Sequence, residues 1–268
     1  MIDYHIHTKL CRHAKGEIIE YIEKANSLGI EELGFADHFP MNYQPKFSID
    51  INNITMRENE IEDYFKILSN SKESFQNIKI GFEVDYYEKE NNFFKKYSHL
   101  YERTDFIIGS VHFIDELSID QEEFIEKRRE YGMKKLWVDY FNEIIKMIKN
   151  YRNLIDIVGH LDLPKKFNDK LPKDLFDLVL EVLKFIKWNE LVIEINTAGW
   201  HKKVSELYPS IDIIKMAKDY KIEFTIGSDA HSPEEVGREF KRLINILNEL
   251  DIKKLIKFRN HRKDYYKI

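Results

Sequence analysis

A short apolar run followed by a longer amphipathic run recurs along these 268 residues. The short runs are rich in β-branched and aromatic residues, as strands are. They are Ile2–Ile6, Glu32–Phe35, Ile78–Phe82, Phe106–Ile108, Ile155–Val158, Val192–Ile195 and Phe224–Ile226. The longer runs carry apolar residues at helical spacing, as in the stripe of Ile18, Ile22 and Ala25 that ends at Gly29. Seven strand–helix units predict a parallel sheet covered by helices, closed into an α/β barrel.

No linker rich in proline, glycine or low-complexity sequence interrupts the repeat, so we predict a single domain over residues 1–268. The stretch from 115 to about 137 is longer than a connection needs and predicts a helical insertion at the barrel rim.

The net charge of −5 argues against a stable nucleic-acid partner, and no apolar run is long enough to span a membrane. Cys11 is the only cysteine, which fits a reducing compartment. We therefore predict a cytoplasmic protein, and the sequence leaves its oligomeric state open.

Most histidines of the chain follow predicted strands. In α/β barrels the active site forms where strands end and the following loops begin. The polar residues at these ends are His5, His7 and His13, then Asp37 and His38, Glu83 and Asp85, His112, His160 and Asp162, Asn196, and finally Asp229 and His231. His5 and His7 are two residues apart, so a strand points both imidazoles to the same side. Independent placement would scatter histidines over the helices as well, so the joint pattern predicts a metal site.

Imidazole nitrogens combined with carboxylate oxygens suit zinc, iron or manganese. The candidate ligands are too many for one tetrahedral ion, and Glu83 has two oxygens that could bridge two ions. We therefore expect two or three divalent transition metals. Such ions would hold a hydroxide that can attack a phosphorus centre, and they would neutralise charge on the phosphoryl oxygens. A serine or cysteine nucleophile is then not required.

Eight short motifs resemble those of the polymerase and histidinol phosphatase (PHP) superfamily of metal-dependent phosphoesterases, and most of all its histidinol-phosphatase branch. They are Asp-Tyr-His-Ile-His-Thr (3–8), Cys-Arg-His-Ala (11–14), Ala-Asp-His (36–38), Gly-Phe-Glu-Val-Asp-Tyr (81–86), Gly-Ser-Val-His-Phe-Ile-Asp (109–115), Gly-His-Leu-Asp (159–162), Glu-Ile-Asn-Thr-Ala-Gly (194–199) and Gly-Ser-Asp-Ala-His (227–231). The resemblance implies a distorted seven-stranded, TIM-like barrel. It also implies a phosphomonoesterase that prefers a small phosphate ester, L-histidinol phosphate.

The same resemblance implies where the metals bind. The three ligand groups would be His5, His7, Glu83 and Asp229; then Glu83, His112 and His160; and then His13, His38 and His231. The catalytic set would be Glu83, Asp229 and His231, and Asp37 would orient a histidine.

A phosphate needs cationic donors beside the metals. We predict this role for Arg12, Lys165, His201 and Lys202, with Lys166 and Arg238 as further candidates. The family often has an arginine where this chain has His201, so the phosphate contact there is expected to pass to His201 or Lys202. The rest of the pocket is expected to be walled by Asp85, Tyr86, Phe113, Asp115 and Trp200.

Three other functions stay open. An amidohydrolase-like metal hydrolase also begins with His-x-His, but it usually adds a metal-bridging lysine that no strand end supplies here. A phosphoesterase acting on nucleotides or oligonucleotides would want a basic groove with exposed aromatic side chains, against which the acidic net charge counts. A metal-free binding protein would be expected to lose ligands, and none is missing.

Overall fold

Seven parallel strands form the centre of the computed structural model, which describes residues 1–90 and 93–268. The strands are β1 (Ile2–Ile6), β2 (Glu32–His38), β3 (Ile78–Asp85), β4 (Phe106–Ser110), β5 (Phe113–Ile114), β6 (Leu117–Ser118), β7 (Ile157–Val158), β8 (Val192–Asn196), β9 (Phe224–Gly227), β10 (Lys254–Arg259) and β11 (Arg262–Lys267). The barrel strands pair in the order β1-β2-β3-β4-β7-β8-β9. The His7 amide donates to the Ala230 carbonyl oxygen at 2.9 Å, which joins the two edges of the sheet. The predicted seven-stranded α/β barrel is confirmed.

Five barrel strands run further than the sequence predicts, with the largest extensions in β2 and β3, and one strand is shorter. The strand β2 continues to His38, which pairs with Glu83, and β3 continues to Asp85, which pairs with Ser110 of β4. Site residues that were expected in loops therefore lie on rigid strands. The strand β7 begins two residues late: the Asp156 carboxylate, rather than a strand carbonyl, accepts the Ile107 amide at 2.8 Å.

Helices pack their apolar faces against the outside of the barrel. They are α1 (Ile18–Leu28), α2 (Ile61–Ser71), α3 (Phe93–Lys96), α4 (Ile125–Tyr131), α5 (Met133–Tyr151), α6 (Phe176–Trp188), α7 (Ile211–Asp219) and α8 (Phe240–Glu249). The helix α1 ends at Gly29 with φ of 65°, the left-handed cap that its sequence predicts. The strand β6 and the helix α4 lie in the stretch predicted to be inserted. No helix in the described ranges is long and apolar enough to cross a membrane.

The carboxyl-terminal hairpin of β10 and β11 was not predicted. It turns at Asn260 and His261, whose φ values of 48° and 62° form the left-handed pair of a tight two-residue turn. The hairpin packs at the amino ends of the barrel strands, where the Phe258 amide donates to the Tyr4 hydroxyl at 2.6 Å. It therefore covers the end of the barrel away from the candidate site.

Candidate active site

The carboxylate of Glu83 lies at the centre of a cluster of imidazoles and is 1% exposed. The nitrogens around it are His160 Nε2 at 2.8 Å and His112 Nε2 at 3.8 Å from Oε1, and His38 Nδ1 at 3.1 Å, His5 Nε2 at 3.3 Å and His7 Nε2 at 3.6 Å from Oε2. Burial alone would raise the pKa of Glu83, but the imidazoles hold it well below its ordinary value. The carboxylate is therefore ionised, and its two oxygens face different histidines, an arrangement that can bridge two cations.

Asp229 closes the other side of the cluster. Its Oδ1 lies 3.3 Å from His7 Nε2 and 3.6 Å from His231 Nδ1. The His13 ring lies beside that of His231, with 4.6 Å between centroids. The structure thus brings all nine predicted metal ligands together. Potential ligand atoms lie within 4.8 Å of one another in the trio His5, His7 and Asp229, and also in the trio His7, His38 and His231.

The orientation of the histidines fits bound metal ions. In four of them Nδ1 is held by an oxygen atom: His5 by Glu194 Oε1 at 2.5 Å, His13 by the Cys11 carbonyl at 2.8 Å, His112 by Asp85 Oδ1 at 2.7 Å, and His231 by the Asp229 carbonyl at 3.0 Å. This contact fixes the tautomer and leaves the Nε2 lone pair free to bind a metal. The Nε2 atoms of His5, His7 and His231 are buried without a hydrogen-bond partner among the described residues. A buried polar atom without a partner costs roughly 1–3 kcal/mol. Divalent metal ions bound to these nitrogens would remove that cost, so the donor set fits divalent metals.

The charge state of several imidazoles suits the same role. Burial, and then repulsion from His231, lower the pKa of His7 to about 3 and that of His13 to about 4. Burial also lowers the pKa of His38 well below its usual value. These rings are therefore neutral near pH 7, which is the form that coordinates a metal.

Glu194, on β8, is a site residue that the sequence reasoning missed. Its side chain is 1% exposed, with Oε1 on His5 Nδ1, while Oε2 accepts the His160 amide at 2.9 Å. A Cβ atom at Gly227 would collide with Glu194 and with His5, so only glycine leaves room for this contact. The sequence contains a pattern that indicates this position. Asn196 is predicted at the end of this strand, and Glu194, two residues earlier, therefore faces the same side.

Glu194→Gln is expected to weaken metal binding by about 10–100-fold, the usual effect of removing a carboxylate behind a coordinating histidine. The amide keeps the size of the side chain but loses the charge that makes His5 a better ligand. The measurement is competition for zinc with a chromophoric chelator, using metal-depleted protein. Glu223→Gln, just before β9 and paired with Lys263, serves as the matched control. An unchanged zinc affinity in Glu194→Gln would contradict this role.

Asp37 and Asp85 differ in what they hold. Asp37 Oδ1 accepts the Thr8 amide at 2.7 Å, whereas its distance of 3.7 Å from His7 Nδ1 is too long for a hydrogen bond. Asp37 therefore fixes the turn after β1 rather than directly orienting a histidine. Asp85, which was expected in the pocket wall, holds both the ring and the backbone amide of His112.

A cavity of about 400 Å³ opens onto the cluster. Its wall includes the apolar Ile49, Ile54, Phe113 and Leu163, the acidic Asp85, Asp120 and Glu235, and the cationic Lys166, Lys202 and Arg238. Phe113 and Asp85 are thus where the sequence places them. The other predicted wall residues, Tyr86, Asp115 and Trp200, are not part of the described lining.

Of the four predicted substrate-binding residues, only Lys202 lines the cavity. Lys165 is 2% exposed, and its Nζ contacts the Leu207 carbonyl at 2.6 Å and Asp162 at 2.8 Å. Arg12 forms an ion pair with Glu60. His201 Nε2 lies 3.6 Å from Glu239 Oε1. The roles predicted for Lys165, Arg12 and His201 stay predictions that their positions do not support.

Known proteins match this chain over most of its length. The PHP domain family matches residues 3–198, and the PHP-associated family matches residues 213–256. A Deinococcus radiodurans protein named a probable histidinol-phosphatase is 32% identical over 255 residues, which are 93% of this chain and 94% of that protein.

Two solved structures share the fold. A Listeria monocytogenes chain named as a histidinol phosphatase has a TM-score of 0.82 and 25% identity, covering 90% of this chain and 99% of its own. The Lactococcus lactis histidinol phosphate phosphatase, complexed with zinc, L-histidinol and phosphate, has a TM-score of 0.82 and 20% identity, covering 98% of each chain. With the family match over residues 3–198 and the motifs that carry the clustered ligands, the chain belongs to the PHP domain family.

Proposed function

We propose that this chain is a metal-dependent phosphomonoesterase that hydrolyses L-histidinol phosphate to L-histidinol and phosphate. The observation that carries the proposal is the cluster of seven histidines with Glu83 and Asp229, which opens into a cavity with Lys166, Lys202 and Arg238 on its wall. The name of the Deinococcus relative supports the choice of substrate.

The clustered side chains would hold two or three divalent ions, with zinc, iron and manganese as the candidates. When bound, such ions lower the pKa of coordinated water and neutralise charge on phosphoryl oxygens. The chain supplies the rest. Glu83 and Asp229 would offset part of the charge of the ions, and the cations of the wall would bind and orient the phosphate. Four of the histidines, His5, His13, His112 and His231, are fixed by the oxygen atoms behind them, so these rings would need little reorganisation during the reaction.

The cavity suits a small amino-alcohol phosphate. Its volume of about 400 Å³ is near the lower end of the roughly 300–1,000 Å³ typical of small-molecule sites. Phe113 offers an aromatic surface for an imidazole ring. Asp120 offers a carboxylate for an ammonium group; burial would raise its pKa, but Lys166 and His112 lower it below its usual value. The substrate would thus meet opposite charges at its two ends.

We also propose that the chain acts as one domain, because the ligands extend from His5 on the first strand to His231 after the last barrel strand. A cytoplasmic location belongs to the same proposal and is favoured by the single free, buried thiol of Cys11.

The test of substrate is a direct comparison on metal-loaded enzyme. We expect kcat/KM for L-histidinol phosphate to exceed that for p-nitrophenyl phosphate, AMP and a short oligonucleotide by about 10-fold or more, since binding energy from the amino-alcohol accelerates only its own ester. Glu83→Gln, assayed in parallel, controls for contaminating phosphatases. Better cleavage of the nucleotide or oligonucleotide would overturn the histidinol assignment. Release of phosphate from none of these esters would overturn the phosphatase assignment.

A further inference from the structure

We infer that Arg238 binds the phosphoryl group of the substrate and is the main cationic contact that the chain itself provides beside the metals. The inference rests on the proposed phosphatase function. It assigns to one side chain the contact that the sequence leaves divided among six candidates.

Two lysines and one arginine line the cavity among the residues that the structure describes, and they differ in how they are held. Lys166 already contacts Asp120, with 3.1 Å between Nζ and Oδ2. Lys202 is exposed and has no ion pair within the described part of the chain, so nothing orients its ammonium group. Arg238 is the only guanidinium on the described wall. A planar guanidinium can donate two parallel hydrogen bonds to a phosphate, which a lysine cannot do.

The backbone of Arg238 is fixed relative to the predicted metal ligands. The preceding residue, Gly237, has φ of 62° and donates its amide to Asp3 Oδ2 at 3.0 Å. The same buried carboxylate accepts the Ser228 amide at 2.9 Å. One side chain of β1 therefore anchors both ends of the segment that carries Asp229 and His231. Arg238 emerges directly from this anchored segment.

The guanidinium is also oriented. Glu235 Oε1 accepts Arg238 Nη1 at 3.1 Å, while Glu235 Oε2 accepts the backbone amide of His231 at 2.8 Å. One carboxylate thus ties the guanidinium to the backbone of a clustered histidine. Arg238 Nε is buried with no hydrogen-bond partner among the residues described, and Nη1 is the only nitrogen of the group with a protein contact there. The Nε and Nη2 donors are therefore not used by the described residues and remain for an anion that binds at Arg238.

His201 does not compete for this role. Its side chain is 37% exposed and lies beside Glu239 rather than on the described cavity wall. Position 201 therefore contributes no cation to the described cavity wall, whereas Arg238, in the loop after β9, contributes a guanidinium.

The experiment compares Arg238→Ala and Arg238→Gln with the unaltered, metal-loaded full chain. We expect both variants to raise the inhibition constant of inorganic phosphate by about 10–100-fold and to lower kcat/KM for histidinol phosphate by a similar factor, as expected for a lost charge-assisted contact. The inhibition constant of L-histidinol, which has no phosphate, should change less than about twofold.

Bound metal is measured in each variant, because Glu235 also holds His231. Arg242→Ala is the matched control: it removes the same charge from an exposed arginine that packs on Trp200 outside the described cavity lining.

The possible results separate the role of Arg238 from the proposed phosphatase function. If the unaltered enzyme releases phosphate while both Arg238 variants keep its phosphate affinity and kcat/KM, the inference is overturned and the proposed function stands. If the affinities for phosphate and L-histidinol fall together, Arg238 shapes the cavity rather than binding phosphate, which also overturns the inference. If the unaltered enzyme hydrolyses no phosphate ester, the proposed function fails. Calorimetric titration with inorganic phosphate then still shows whether Arg238 is needed for phosphate binding.

Discussion

Glu83→Gln should lower kcat/KM for histidinol phosphate by about 100-fold or more, because breaking a buried charge cluster costs roughly 3–5 kcal/mol and each 1.36 kcal/mol is a factor of ten. The amide has nearly the shape of the carboxylate. It lacks the charge that holds cations among His5, His7, His38, His112 and His160. The substitution also replaces one carboxylate oxygen, which can bind a metal, with an amide NH2 group, which cannot. We therefore expect a lower metal content, measured by elemental analysis, together with the loss of activity.

Glu32→Gln is the matched control for that substitution. Glu32 is also a buried carboxylate on a barrel strand, but it lies at the start of β2 and accepts the Tyr4 hydroxyl at the other end of the barrel. The folded Glu32→Gln protein should keep kcat/KM within about twofold of the unaltered enzyme. Activity close to normal in Glu83→Gln would show that this carboxylate does not organise the metal cluster.

The barrel and the clustered ligands could be predicted from the sequence because both follow from simple geometry. Parallel strands bring their carboxyl ends to one edge, so a polar residue at each predicted strand end is placed near all the others. The alternation of side chains along β1 puts His5 and His7 on the same face. Neither conclusion needs the exact end of a strand. The predictions of the barrel and of the ligand cluster were therefore unaffected by the late start of β7 and the extension of β2.

The substrate-binding cations were harder to predict, because their roles depend on a rotation that sequence does not record. Lys165 and Lys166 are neighbours in the short turn Leu163–Phe167. The ammonium group of Lys165 reaches the Leu207 carbonyl inside the protein, whereas Lys166 lies on the cavity wall. If this turn were rotated by one residue, Lys165 would face the cavity and Lys166 the protein interior.

Contacts that cross the barrel were also beyond the sequence. Glu194 reaches His5 only because β8 and β9 place Gly227 where any side chain would block the way. The carboxyl-terminal hairpin was missed because β11 is mostly exposed, so its residues show none of the alternation that marks a half-buried strand. The turn at Asn260 was the one available signal, since asparagine tolerates a left-handed backbone.

Removal of the metals should stop phosphate release while leaving the barrel folded. The clustered histidines lie at the carboxyl ends of the strands, whereas the apolar core of buried strand and helix residues does not depend on them. After dialysis against a strong chelator, we expect the far-ultraviolet circular dichroism spectrum to be unchanged. The rate of histidinol phosphate hydrolysis should fall by at least about 1,000-fold, because activation of water and neutralisation of phosphoryl charge are lost together.

Titration of metal-depleted enzyme with zinc or manganese, with bound metal per chain and phosphate released from histidinol phosphate recorded together, tests whether the clustered side chains form a metal-dependent active site. We propose that the side chains around Glu83 hold more than one ion. We expect no release at zero metal, release that begins as the second ion binds, and a plateau at two or three ions per chain. A full rate of release from metal-depleted enzyme kept in excess chelator would show that catalysis does not depend on the metals.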